Sequence, residues 1–213
     1  MRSVLLAFFI AAFSTAVYAL PTGAPRCGIN ATAIANGHNF QPQDFGFRLN
    51  VSPQNAGDMS ITITISNVQN SSMNFQGILL YVAGANLTHH LGHFTQFDQT
   101  NFHAQTEICK NLGFVGDDAS TLTHSNPQPK ILGSTQFVWT PLPTDSSEPG
   151  PYMVYAAVAG TGNTPAQTPI PWQVVDPVAV NFVASANMLS NSNNNNMSGG
   201  NKRYRCKPKS SSY

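Results

Sequence analysis

Asp58-Met59-Ser60-Ile61-Thr62-Ile63-Thr64-Ile65-Ser66 decides the fold class of this chain. Met59, Ile61, Ile63 and Ile65 alternate with Ser60, Thr62, Thr64 and Ser66, a period of two that turns one apolar face inward and one hydroxyl face outward. β-branched residues suit such a pleated strand. Across a polar break, Phe75-Gln76-Gly77-Ile78-Leu79-Leu80-Tyr81-Val82 has no alternation and predicts a strand buried on both faces, with Gly77 at a bulge or close backbone approach. The rest of the chain is expected to pack on these two strands.

Upstream, Phe45, Phe47, Leu49 and Val51 alternate with small and polar residues and end at Ser52-Pro53, which predicts a first strand. Leu20 to Asn39, rich in Pro, Gly and Ala, reads as an extended lead-in. Downstream, one short edge strand is expected within Leu87 to Phe97, then strands at Phe102–Cys109, Ser120–His124, Thr135–Thr140 and Tyr152–Ala159. Two further strands are expected at Trp172–Val175 and Val178–Ala184. Short strands at even spacing, parted by Gly, Pro and Asn turns and with no long helical period, predict an all-β fold. The expected form is an immunoglobulin-like β-sandwich of about eight or nine strands, a barrel being the alternative.

The ends differ in character. Arg2, an apolar run from Val4 to Phe13 and a close at Val17-Tyr18-Ala19 have the form of a secretory signal over residues 1–19, leaving 194 of the 213 residues as a secreted chain. No later apolar run reaches eighteen residues, so no transmembrane segment is expected. Residues 20–185 form the domain, and residues 186–213, Asn-rich and then basic, have too little apolar surface to order themselves. Between Leu20 and Ser190 four bases face nine acids, a net charge of −5, whereas Lys202, Arg203, Arg205, Lys207 and Lys209 bring +5 to the tail. Five bases without interleaved aromatics do not make a specific nucleic-acid site.

Three cysteines remain, Cys27, Cys109 and Cys206. In an oxidising compartment Cys27 and Cys109 are the natural pair, while Cys206 is free, joined to another chain, or paired with a core cysteine instead. No Cys-x-x-Cys spacing suggests zinc. Asn30, Asn50, Asn70 and Asn86 each begin an Asn-x-Ser/Thr triplet, as does Asn196 in the tail, and are candidate glycosylation sites.

Chemistry-bearing motifs are sparse. His38, His89, His90, His93, His103 and His124 carry no helical ligand spacing, so no metal or other cofactor is expected. The expected mature terminus, Leu20, lacks the histidine that amino-terminal copper sites require. Nucleophile-elbow, zinc-protease and phosphate-loop signatures are missing, and Asp98, Glu107, Asp117, Asp118 and Asp145 form no readable acid–base pair, so no enzymatic activity is expected. Trp139 follows a strand pattern and belongs in the core. Trp172, after a loop, is expected to be partly exposed and is the candidate ligand contact, through sugar stacking.

Taken in order, several pieces resemble the reelin-type (Reeler) domain. These are Pro21-Thr22-Gly23-Ala24-Pro25 before Cys27, the Phe75–Leu80 strand, Gly92-His93-Phe94, Cys109, Leu122-Thr123-His124-Ser125, and Phe137-Val138-Trp139-Thr140-Pro141 ahead of Gly150 and Tyr152. The resemblance spans about Pro21 to Trp172; the basic tail departs from it, and no haem-binding or membrane module follows. It implies a β-sandwich with Cys27 bonded to Cys109 and a secreted, noncatalytic recognition or adhesion role. Expected partners are extracellular matrix, cell-wall or microbial-surface glycans or proteins. A carbohydrate-binding or cell-wall structural protein is the first alternative, and a metal-dependent secreted enzyme the second.

Overall fold

The computed structural model describes residues 22–38, 41–53, 59–160 and 170–180. The expected signal segment, the tail with Cys206 and Asn196, residues 54–58 and the chain beyond Val180 lie outside the described residues. Among the described residues, nine strands lie in two antiparallel sheets. Strands β1 (Phe47–Pro53), β2 (Ile61–Asn67), β7 (Gln136–Thr140) and β4 (His93–Gln96) form one sheet in the order β1-β2-β7-β4. Strands β5 (Phe102–Ala104), β6 (Thr121–His124), β3 (Gly77–Ala83), β8 (Tyr152–Ala159) and β9 (Trp172–Val180) form the other in the order β5-β6-β3-β8-β9. The fold is thus an all-β sandwich.

The two strands read first sit in opposite sheets. From β2, Ile61, Ile63 and Ile65 point into the core, each burial contributing about 1.5–3 kcal/mol. Every residue of β3 is buried, as its unbroken apolar run predicts. Phe137 of β7 meets Phe102 of β5 edge to face across the layers, ring centroids 4.9 Å apart. Under the β4 edge, Gly92 holds a positive φ of 58°, and an added Cβ would stand 2.4 Å from the Trp139 ring, so only glycine fits there.

Two buried polar side chains close the sandwich. Gln173 of β9 accepts from the Phe45 and Phe47 N–H groups at 2.9 and 3.1 Å and donates to the Phe47 carbonyl at 2.9 Å. One amide thereby imitates a strand partner between the β1 and β9 edges. Gln173→Leu leaves these backbone groups without a partner and is expected to cost about 2 kcal/mol, read as a lower urea midpoint at unchanged m-value. Lys130 is 2% exposed, and its ammonium donates to the Gln76, Asn126 and Gln128 carbonyls and the Asn126 side chain, pinning the loop between β6 and β7.

Three expectations are corrected. The amino-terminal lead-in contains helix α1 (Ala31–His38), started by Asn30, whose Oδ1 accepts from the Ala33 N–H at 3.0 Å. Phe102–Cys109 is not one strand: β5 ends at Ala104, and helix α2 (Thr106–Asn111) carries Cys109. The last two expected strands are one, β9, in which Asp176 and Pro177 together oppose Tyr155. That two-against-one bulge lets Pro177, which has no N–H to donate, sit inside an edge strand.

Candidate functional site

The outer faces of the two sheets have different fates. On the five-stranded sheet, Leu79, Tyr81 and Ala83 point away from the interlayer core and are covered by Ala24 and Ile29 of the amino-terminal segment, with Tyr155 alongside. The Ala24 N–H donates to Thr123 Oγ1 at 2.9 Å, and Gln105 Nε2 donates to the Ala24 carbonyl. Cys27 is bonded to Cys109, with Cα atoms 5.3 Å apart and a sequence separation of 82. The segment is therefore fastened covalently across the buried strand.

Rings fill the space beside this clamp. Tyr81 stacks on Tyr155 and on His90, with centroids 5.3 and 4.0 Å apart, and His90 tilts against Phe114 at 5.1 Å. The His90 Nδ1 hydrogen-bonds the Thr121 hydroxyl. Burial in this stack holds the imidazole down at about 4, so the ring is neutral near neutral pH.

The outer face of the four-stranded sheet carries no such cover among the described residues. Its outward side chains form rows across strands: Asn50, Thr64 and Gln136 are in register, as are Ser52, Thr62 and Val138. Rows of this kind repeat about every 4.8 Å across strands and about 6.7 Å along them. Asn50 Nδ2 donates to Ser66 Oγ at 2.9 Å, and the Ser60 and Thr140 hydroxyls lie 2.9 Å apart. Charge enters at one end, where Arg48 is paired with Asp44 at 2.9 Å. Val138 is apolar and 7% exposed, and the remaining side chains named here offer hydroxyl and amide donors and acceptors without charge. This face is the candidate site.

The other candidate residues fall as follows. Trp172, expected to be exposed, is 1% exposed and presents no ring face to a ligand. It pairs opposite Ala159 and lies under His38, ring centroids 6.0 Å apart, so the helix the sequence reading missed is what covers it. Trp139 is buried as expected and donates to the Leu91 carbonyl at 2.9 Å. Asn30, Asn50, Asn70 and Asn86 are all exposed. Asn70 and Asn86 sit in turns in which Oδ1 accepts from the N–H two residues on.

The histidines diverge. His89 Nδ1 meets Glu148 Oε1 at 2.6 Å, His93 lies 3.9 Å from Asp117, and His103 bonds Ser125. Among the described residues no three His, Cys, Asp or Glu side chains are arranged to hold a metal ion. Asp145 is buried and accepts from the Leu142 N–H at 2.7 Å, and burial raises its pKa. Asp98 is tied to Asn101 and Thr100 at the surface, and Asp118 to Lys110. The roles of Lys130, Gln173 and His90 had no signal in the sequence, because their partners are set by tertiary packing. No helix among the described residues is long and apolar enough to cross a membrane.

No protein-family model matches the chain, and no curated protein matches it. Among solved structures it is similar to the human F-spondin reeler domain (fragment 1), with 18% sequence identity over 62% of this chain and 88% of that one, at a TM-score of 0.36.

Proposed function

We propose that this chain is a secreted, noncatalytic recognition or adhesion domain. It lays the outer face of its four-stranded sheet on an uncharged, hydroxyl-rich glycan of a matrix, cell wall or microbial surface. The observation that carries this reading is the asymmetry of the sandwich: one outer face is sealed by a disulfide-fastened segment, whereas the other carries no such segment among the described residues and is mostly polar, with little charge. The disulfide supports an oxidising, extracellular setting, and the exposed Asn-x-Ser/Thr sites agree with it. With both tryptophans buried, recognition falls to hydroxyls and amides instead of ring stacking.

Retention on insoluble chitin, cellulose and β-glucan particles tests the reading. The protein is expected to bind at least one of them equally at 50 mM and 500 mM salt, since uncharged groups are indifferent to screening. Thr64→Lys, at a surface position where stability changes stay within about 0.5 kcal/mol, is expected to weaken retention at least tenfold. Retention that vanishes with salt would assign binding to the basic tail, and retention unaffected by Thr64→Lys would remove the sheet face from consideration.

A further inference from the structure

Four of the large apolar side chains left exposed belong to two neighbouring segments. Leu87 is 47% exposed, Ile108 44%, Leu112 47% and Val115 59%. Ile108 and Leu112 lie four residues apart on α2 and its carboxy-terminal end, hence on one side of it. Val115 follows in the next loop, and backbone hydrogen bonds join that loop to the turn bearing Leu87: the Val115 N–H donates to the Thr88 carbonyl at 2.9 Å and the His90 N–H to the Val115 carbonyl at 2.8 Å. Exposed apolar side chains gathered in this way offer a surface that another group can cover.

At its rim stands Asn86-Leu87-Thr88. Asn86 is exposed, and its Oδ1 accepts from the Thr88 N–H at 3.0 Å and from the Thr88 hydroxyl at 2.8 Å. Those bonds use only the amide oxygen, so substitution at Nδ2 leaves the turn intact. Asn50 differs, because its Nδ2 is already the donor to Ser66 within the proposed binding face.

We propose that Asn86 carries an N-linked glycan whose first sugars lie over Leu87, Ile108, Leu112 and Val115 as an intramolecular cap, and that Asn50 is left unmodified. This rests on the secreted reading, since only an exported chain meets the transferring enzyme. The transfer joins Nδ2 to the anomeric carbon of a lipid-linked oligosaccharide diphosphate. That carbon's bond to the diphosphate breaks, the lipid diphosphate leaves, and the one proton lost by the amide ends on that departing group. The aliphatic C–H faces of the sugar rings then pack on the exposed methyl groups.

The test is hydroxyl-radical footprinting of the full chain from a secreting eukaryotic host, before and after native enzymatic deglycosylation, with site occupancy read by mass spectrometry. Asn86 is expected to be occupied and Asn50 empty. Labelling of the four apolar residues is expected to rise at least twofold when the sugar is removed or in Asn86→Gln, with Val68 and Ile131 unchanged. An occupied Asn86 with no change in labelling overturns the cap alone. An empty Asn86 in chain recovered from the medium overturns the proposal but leaves secretion standing, whereas a chain that never reaches the medium takes both down. Labelling that stays low without sugar and varies with protein concentration would put a second copy on the patch and also overturn the proposal.

Discussion

Replacing Cys27 with serine is expected to lower the stability of this domain by about 3–5 kcal/mol. The bond to Cys109 closes a loop across a sequence separation of 82, so its loss returns a large conformational freedom to the unfolded chain. The native state loses as well. The segment carrying Ala24 and Ile29 is otherwise held over Leu79, Tyr81 and Ala83 by a few hydrogen bonds, and its release would bare an apolar strand face to water. Urea unfolding with and without reductant checks this. The wild type should fall to the level of the variant when reduced, and Cys109→Ser combined with Cys27→Ser should cost no more than either alone, because both remove one bond.

Acid should destabilise the domain well before its carboxylates protonate. Burial depresses the His90 pKa from 6.5 to about 4, so between these values the unfolded chain binds a proton that the folded chain refuses. The contribution is complete above pH 6.5 and is lost as pH falls toward 4, a loss of about 3 kcal/mol. His38 and His103 are also lowered by burial and act with the same sign, whereas buried Asp145, raised instead, opposes them at lower pH. The difference between wild type and His90→Phe isolates the one ring. The variant keeps the stack on Tyr81, gives up the Thr121 bond at about 1 kcal/mol near pH 7, and should show a flatter stability curve between pH 6.5 and 4. Parallel curves for the two proteins would show that His90 is not the group refusing the proton.

Local pattern carried much of the fold. The alternation from Met59 to Ser66 placed one apolar and one hydroxyl face, and β2 realises both; the unbroken run after Phe75 became the strand buried on both sides. The pattern failed where a short helix had nothing periodic to show. Ala31–His38 contains Gly37 and a single large apolar residue, Ile34, and only the capping Asn30 marked its start. That omission spread to the candidate site, since His38 on the same helix covers Trp172. Phe102–Cys109 misled in another way, because Phe102 and Ala104 suit a strand while the residues from Thr106 onward turn into a helix that brings Cys109 to Cys27. Lys130, Gln173 and His90 were beyond reach for a common reason. Gln173 meets partners up to 128 residues away, His90 a hydroxyl 31 residues away and Lys130 the Gln76 carbonyl 54 residues away, besides Asn126 and Gln128 close by, and such long-range pairings leave no trace in composition or spacing.

The open face itself was half legible. The hydroxyl side of Met59–Ser66 was visible, but its neighbours Asn50, Ser52 and Gln136 joined it only through strand pairing. The covering of the opposite face could not be anticipated in detail, because it depends on where the amino-terminal segment is fastened.

Footprinting of the protein while it is held on a retaining polysaccharide tests the central claim most directly. Protection is predicted at Asn50, Ser52, Thr62, Thr64 and Gln136, with residues 24–29 and 108–115 labelled as in the free protein. Protection on the clamped side of the sandwich, with the four-stranded sheet still fully labelled, would contradict the account.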